Sequence, residues 1–353
     1  MTFPHQRPLE SVEKAATVND TCAMNVLVTG CGGGVGQSII KCFQESQYHV
    51  VGLDGEVLAA GLYAVPKAYQ IPYAASPDYV SKLLDICRVE GPGLIFPGLD
   101  TELPVLAEAA DLIRQTGVVP VVSSPEVVAI CDEKLLTAQF LEQEGFPAPV
   151  TRPLSFDIVE AMHLPLILKP RKGGARSRGV FTVSDKKELD FLLSTLDVSN
   201  YVAQEYVTGD EYTCGTVTFD GICHGVIIMR RILRDGDTYK AFVSRDPKIE
   251  NHVRAIVEKL APFGPCNVQL RVRDGTPIVF ELNARCSGTT YARALAGFNE
   301  PVMVANYLLK NEIPSTSIRE VSILRYWKEL LVENSAIASL QERGTREGGG
   351  QAL

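Results

Sequence analysis

The first third of the chain alternates short β-branched runs with amphipathic helical stretches. That alternation restricts the fold more than any other feature. Residues 24–29, 49–54, 93–97 and 118–122 read as buried strands, separated by helical patterns over 37–46, 81–89 and 102–116. Strands joined through helices pair in parallel by right-handed crossovers. A parallel-sheet domain over 24–122 is therefore expected, of ordinary domain size. Residues 1–23 carry no apolar period and are expected to be a flexible extension.

The pattern changes after residue 123. Ser124-Pro125-Glu126 opens a helix with proline in its first turn, and a helical run over 132–144 ends at Gly145, before Pro147 and Pro149. Residues 165–206 give a strand, a glycine-rich loop, a strand, a helix over 186–195 and another strand. From 211 to 280, β runs recur at hairpin spacing with Asp220-Gly221 and Asp274-Gly275 as turn dipeptides, around a helix over 248–263. This half reads as α+β with antiparallel sheet. Tyr326–Leu331 reads as a helix that packs on the core, caps a pocket or joins a homodimer interface, core packing being preferred. Gly348-Gly349-Gly350 reads as a loose tail.

The 353 residues carry 34 Lys+Arg against 42 Asp+Glu, a net charge of −8, which argues against a nucleic-acid partner. No apolar run reaches the ~18 residues of a membrane span. The nine cysteines are scattered without a Cys-x-x-Cys pair, which fits reduced, buried thiols and a cytoplasmic location. The five histidines are scattered too, so no zinc set is expected.

Thr29-Gly30-Cys31-Gly32-Gly33-Gly34-Val35-Gly36 joins a strand to a helix, a form that suits a phosphate at a helix N-terminus. Asp54 stands at the spacing of a ribose acid in dinucleotide folds. The catalytic Tyr-x-x-x-Lys pair of short-chain dehydrogenases has only Tyr63 with Lys67 to match it, too early and interrupted by Pro66. Structural or substrate-side use of the loop is expected ahead of a nicotinamide cofactor.

Four segments of the second half carry the chemistry. Lys169 ends a buried apolar strand, where an ammonium is costly unless it meets an anion. The loop after it holds Arg171, Lys172, Arg176, Ser177 and Arg178 among glycines, a form suited to a lid over polyphosphate. Gln204–Glu211 is a strand, a turn and then an acid, able to pair with a purine edge and to accept ribose hydroxyls. Along Phe280–Arg285, alternation puts Glu281, Asn283 and Arg285 on one face, with Phe280 and Leu282 on the core side. Gln269 on the preceding strand of the hairpin joins that face, giving one carboxylate and two amide oxygens for Mg²⁺. Asp132-Glu133-Lys134 adds a lysine early on a helix.

Together these segments resemble the ATP-grasp superfamily, and most closely a single phosphorylating unit of the carbamoyl phosphate synthetase large chain. The resemblance covers roughly 24–310. It implies an N-terminal pre-ATP-grasp domain over 24–122 and an ATP-grasp domain over 123–310, with a small lid subdomain at about 152–206 and a larger antiparallel subdomain. Residues 311–353 would be a C-terminal helical segment and tail. By resemblance, Lys169, Lys134 and the Ser177 loop contact ATP phosphates, and Gln204 with the backbone at Glu205 and Val207 binds adenine. Glu211 holds the ribose, Gln269, Glu281 and Asn283 ligate Mg²⁺ or its substitute Mn²⁺, and Arg285 stabilises the phosphoryl group. Arg230, Arg231, Lys240 and Arg293 are the candidates to grip substrate carboxylates. Only one copy of the unit is present, and no glutaminase segment is apparent.

The activity so implied is an ADP-forming carboxylate–amine ligase acting on small molecules. The alternatives are phosphorylation of bicarbonate or carbamate, an NAD(P)-dependent oxidoreductase using the 30–36 loop, and a non-catalytic nucleotide binder.

Overall fold

The computed structural model describes residues 24–91, 93–174 and 177–353, so the extension expected over 1–23 and Arg176 of the loop lie outside the described residues. The first unit runs β1 (Asn25–Val28), α1 (Gly34–Phe43), β2 (His49–Asp54), α2 (Ala60–Ala64), β3 (Lys67–Gln70), α3 (Tyr79–Glu90), β4 (Gly93–Phe96), α4 (Leu103–Glu108), α5 (Ala110–Arg114) and β5 (Val118–Pro120). The five strands pair in parallel in the order β3-β2-β1-β4-β5. Helices cover both faces, and Val26 and Val28 enter one core while Leu27 and Ile95 enter the other. The helix expected over 102–116 is two helices, because Ala109 leaves helical geometry at φ −88° and ψ 3°.

Ser124 caps α6 (Pro125–Asp132), accepting from the Val127 N–H. The run expected to continue unbroken instead bends at Glu133, which is extended (φ −100°, ψ 112°) and caps α7 (Lys134–Gln143). A small antiparallel sheet follows, built from β6 (Thr151–Pro153), α8 (Phe156–Ala161), β7 (Leu166–Pro170), β8 (Phe181–Val183), α9 (Lys186–Thr195) and β9 (Tyr201–Glu205). Its strand order is β6-β9-β7-β8.

The larger sheet contains β10 (Asp210–Phe219), β11 (Ile222–Arg234), β12 (Asp237–Ser244), α10 (Pro247–Leu260), β13 (Gly264–Arg273) and β14 (Thr276–Asn283). Then come α11 (Thr290–Leu295), α12 (Glu300–Lys310) and β15 (Ser322–Leu324). The order is β14-β13-β10-β11-β12-β15. Asp220-Gly221 and Asp274-Gly275 turn two hairpins with both residues at positive φ, and Asp235-Gly236 turns a third. On one face, Val253, Ile256 and Val257 of α10 pack against Cys214, Val268 and Leu270. The other face carries the polar set described below.

The chain ends back on the first sheet. Tyr326–Leu331 is not helical, and Tyr326, Trp327 and Leu331 are exposed. Leu330 alone of this stretch packs on the core, and six residues with one half-buried side chain do not sustain a helix. The helix forms later, as α13 (Asn334–Arg343), and β16 (Thr345–Glu347) pairs antiparallel with β3. The glycines after it are docked rather than loose: the Gly348 N–H donates to Pro66 O at 3.0 Å and the Gln351 N–H to Tyr63 O at 3.3 Å. The eight described cysteines are free and buried, while Cys22 lies outside the described residues. Among the described residues, no helix is long and apolar enough to cross a membrane.

Candidate active site

The β13–β14 hairpin sets Gln269 opposite Glu281 and Asn267 opposite Asn283. Asn283 Nδ2 donates to Glu281 Oε1 at 3.1 Å, and Asn283 Oδ1 accepts from Arg285 Nη2 at 3.3 Å. Glu281, Asn283 and Arg285 thus form one half-buried group. No group of three or more His, Cys, Asp or Glu placed to hold a metal ion occurs among the described residues. A hard-oxygen set this small suits Mg²⁺ that takes its remaining ligands from nucleotide phosphates. Glu281 and Asn283 fit such an ion. Gln269 fits only after a rearrangement, since its Oε1 accepts from Arg231 Nη2 at 2.6 Å.

Phe280 departs from the core position expected of it. The register shifts between Gln269 and Leu270, and this bulge breaks the alternation. The Phe280 ring therefore lines a crevice with Lys134, Ala138, Leu141, Thr151 and Gln204. Lys169 reaches this place from the small sheet. Its Nζ donates to Phe280 O at 3.3 Å and lies 6.0 Å from the Phe280 ring centroid. Burial pushes the Lys169 ammonium down to about 8; Glu281 acts against that fall and Lys134 adds to it. Lys169 opposes Val202 and Gln204 opposes Ile167, so Lys169 and Gln204 share one sheet face. Gln204 is buried and donates to Thr151 Oγ1 at 2.8 Å.

Lys134 stands at the first position of α7, where its ammonium donates to Gly173 O at 2.8 Å. The preceding Glu133 accepts from the Leu135 N–H at 2.9 Å and from Arg171 Nη2 at 3.0 Å. The Asp-Glu-Lys sequence therefore clamps the glycine loop to the helix. Arg171 pairs with Glu133 and Lys172 Nζ lies 3.7 Å from Asp132, so neither is the free phosphate-facing cation expected. Ser177 sits exposed in this loop with φ 55°.

The Glu205 N–H donates to Val150 O at 2.8 Å, and the Glu205 side chain pairs with Arg273. A purine at this strand would accordingly meet the Glu205 carbonyl rather than its N–H. Val207 O accepts from Arg271 Nη1 at 2.9 Å. Both Glu211 oxygens are engaged, by Arg231 at 2.5 Å and by Arg271 at 2.8 Å. A ribose at Glu211 must share or displace those guanidiniums.

The four substrate-gripping candidates separate. Arg231 is on the polar face with Glu211 and Gln269. Arg230 faces the other way, stacked on Phe242 at 4.6 Å, and alternation puts Lys240 on the Phe242 side as well. Arg293 is neither surface nor substrate-facing. It is fully buried, paired with Glu300 at 2.7 Å, and bonded to Asn267 and Thr213 Oγ1. There it anchors Asn267, the register partner of Asn283. A Cβ at Gly215 would lie 2.3 Å from Glu300 Oε1, so glycine makes room for this pair.

Asp100, in the Gly98-Leu99-Asp100 loop where substrate specificity is expected from the sequence, joins the candidate site. It projects from the loop after β4 and grips Arg285, Nε to Oδ1 at 2.7 Å and Nη2 to Oδ2 at 3.1 Å. Burial acts to raise the Asp100 carboxyl, but the Arg285 charge and hydrogen bonds outweigh it, and the net direction is down. The glycine loop lies beside it. Its Gly32 N–H donates to Asp54 Oδ2 at 2.7 Å, so the acid that would bind a dinucleotide ribose closes the loop instead.

Residues 131–289 match the family model described as an ATP-grasp domain, and residues 26–122 match that of a PylC-like N-terminal domain. A D-alanine–D-alanine ligase of Bacillus anthracis is 29% identical over 211 residues, covering 54% of this chain and 68% of that protein. The carbamoyl phosphate synthase large chain of Pseudothermotoga lettingae is 24% identical over 350 residues, 87% of this chain but 30% of that longer protein. Among solved structures, an L-amino acid ligase from Bacillus licheniformis superposes with a TM-score of 0.65 at 21% identity, covering 85% of this chain and 78% of that one. The N5-carboxyaminoimidazole synthetase of Staphylococcus aureus, solved with ADP, gives 0.66 at 17% identity, covering 85% and 80%. The chain therefore carries an ATP-grasp domain over 131–289, standing behind a PylC-like N-terminal domain over 26–122.

Proposed function

We propose that the chain is an ATP-dependent carboxylate–amine ligase. A substrate carboxylate oxygen attacks the γ-phosphorus of ATP and ADP leaves. An amine nitrogen then attacks the acyl carbon of the acyl phosphate, phosphate departs, and the nitrogen loses a proton to give an amide. The chain's part is positioning and charge neutralisation. Lys169 and Lys134 hold phosphates, and Gln204, the Glu205 carbonyl and Val207 hold adenine. Glu211 faces the ribose, and Arg285 meets the transferring phosphoryl group. Glu281 and Asn283 would hold Mg²⁺, with Gln269 if Arg231 withdraws; the ion neutralises phosphate charge.

One observation carries this reading: Lys169 of the small sheet, Glu281, Asn283 and Arg285 at the end of the large sheet, and Asp100 of the N-terminal unit converge. The occupied Asp54 argues against the oxidoreductase alternative. The likeness to the synthase large chain along 87% of this chain supports a second reading, in which bicarbonate or carbamate is phosphorylated. ADP release should be measured with pairs of amino acids and, in parallel, with bicarbonate plus an amine, and products identified by mass. Release with amino-acid pairs supports the ligase. Release with bicarbonate alone overturns it in favour of the second reading.

A further inference from the structure

The N-terminal unit carries a partly open cavity of about 150 Å³ whose wall includes both neighbours of Asp100. It lies at the carboxyl ends of β1, β2 and β4, bordered by Gly30, Asp54 and Leu99. The strand order reverses direction between β1 and β4, and open parallel sheets bind ligands at that crevice. Its walls are mostly apolar: Ile71, Pro72, Tyr73, Ala74, Ala75 and Leu99. Two carboxylates also border it, and both are engaged. Asp54 accepts the Gly32 and Glu56 N–H groups at 2.7 and 2.9 Å. Glu102 accepts Thr29 Oγ1 at 2.7 Å, the Leu99 N–H at 3.1 Å and the Tyr79 hydroxyl at 3.2 Å. Burial pushes the Glu102 carboxyl up to about 7, so it is only partly charged near neutral pH, and the bonds both acids already make reduce what either can offer a charged guest.

Leu99 and Thr101 line the cavity on either side of Asp100, and Asp100 holds Arg285. A guest in the cavity therefore touches the turn whose Asp100 holds Arg285. Its volume is that of a benzene-sized guest.

Resting on the ligase reading, we infer that this cavity takes the uncharged, apolar side chain of one of the two joined substrates, an amino acid with a side chain of leucine or phenylalanine size. The reacting end of that substrate lies toward Arg285. The Leu99–Thr101 turn and the segment after β3 are then the specificity elements.

The test uses the full chain and two readouts. ADP release is measured with amino-acid pairs of either hand containing leucine, phenylalanine, aspartate or lysine. Binding of leucine and phenylalanine alone is measured by calorimetry. Ala75→Phe, at the exposed rim, fills the cavity, and Leu99→Ala enlarges it; ATP affinity and melting temperature verify that each variant is folded. The expected result is release favouring an apolar member, which Ala75→Phe weakens by about tenfold to a hundredfold in kcat/KM while ATP affinity stays unchanged. Leu99→Ala should shift preference toward phenylalanine. Release that favours aspartate or lysine, or that neither variant alters, overturns the cavity assignment and leaves the ligase reading standing. No release with any pair, but leucine or phenylalanine binding that Ala75→Phe abolishes, overturns the ligase reading and upholds the cavity. Neither release nor binding overturns both.

Discussion

Lys169 shows how a buried charge can mark a ligand. In the unfolded chain a lysine titrates near 10.4, whereas burial holds Lys169 at about 8. Between those values the unfolded state keeps a proton that the folded state lacks, so stability rises with pH through the window. Below pH 8 the ammonium is charged in both states and the burial penalty is present in full, roughly 3 kcal/mol for this shift. Lys169→Met, without nucleotide, should therefore be more stable than the parent near pH 7, and the difference should shrink between pH 8 and 10.5. Urea midpoints across that range measure it, and a constant difference would contradict a buried charge. Glu281→Ala has a different signature. It sits half-exposed on a site-facing surface, so the fold should persist while ADP formation drops by about a hundredfold or more; near-normal turnover in a folded variant would remove Glu281 from the metal set. Glu281 and Asn283 were legible because strand alternation alone puts them on one face. Phe280 was misread because a bulge leaves no mark in the sequence. Arg230 and Arg231 are adjacent arginines, and only the register with β10 and β12 decides which one faces Glu211 and Gln269.

At the scale of elements, the glycine loop and the turns show what local sequence encodes. Gly36 lies in the first turn of α1 and a Cβ there would lie 2.4 Å from Gly30 O, whereas nothing lies within 4 Å of a Cβ at Gly34. Gly36→Ala should open the loop and lower stability by about 2 kcal/mol or more. Gly34→Ala should be neutral or stabilising by up to ~1 kcal/mol, since alanine is the better helix former. Urea unfolding of both variants tests this, and equal effects would mean that the loop is not folded on its own backbone. The Asp-Gly turns were readable because the dipeptide itself favours positive φ at both positions. The breaks at Ala109 and Glu133 were not. Ala109 sits in a sequence fit for helix, and Glu133 leaves the helix to cap α7 and hold Arg171, a loop residue 38 positions away.

At the scale of the whole molecule, the sequence was legible in order but not in closure. Strand–helix alternation placed the parallel sheet and the Asp-Gly turns placed the hairpins. The return of the chain end depends on partners far off in sequence, and no local period encodes it. β16 adds an antiparallel edge to β3, and Lys67 of β3 pairs with Glu90 at 2.8 Å and Glu347 at 3.3 Å. Leu340 of α13 is fully buried in the core that also holds Leu62 and Val65. Arg346 donates to Leu62 O and Val65 O at 3.2 and 2.5 Å. The last twenty residues therefore add an edge and a buried side chain to the first sheet. Leu340→Ala leaves the edge pairing in place and creates a cavity, which costs about 2–5 kcal/mol. Removal of 334–353 also uncovers the β3 edge, whose free N–H and C=O groups invite another chain. The truncated protein should unfold at lower urea concentration than Leu340→Ala and aggregate on standing, whereas Leu340→Ala should stay monodisperse. If the truncated protein matched its parent in urea midpoint and in light scattering, the first sheet would be complete with five strands and the C-terminal return would be dispensable.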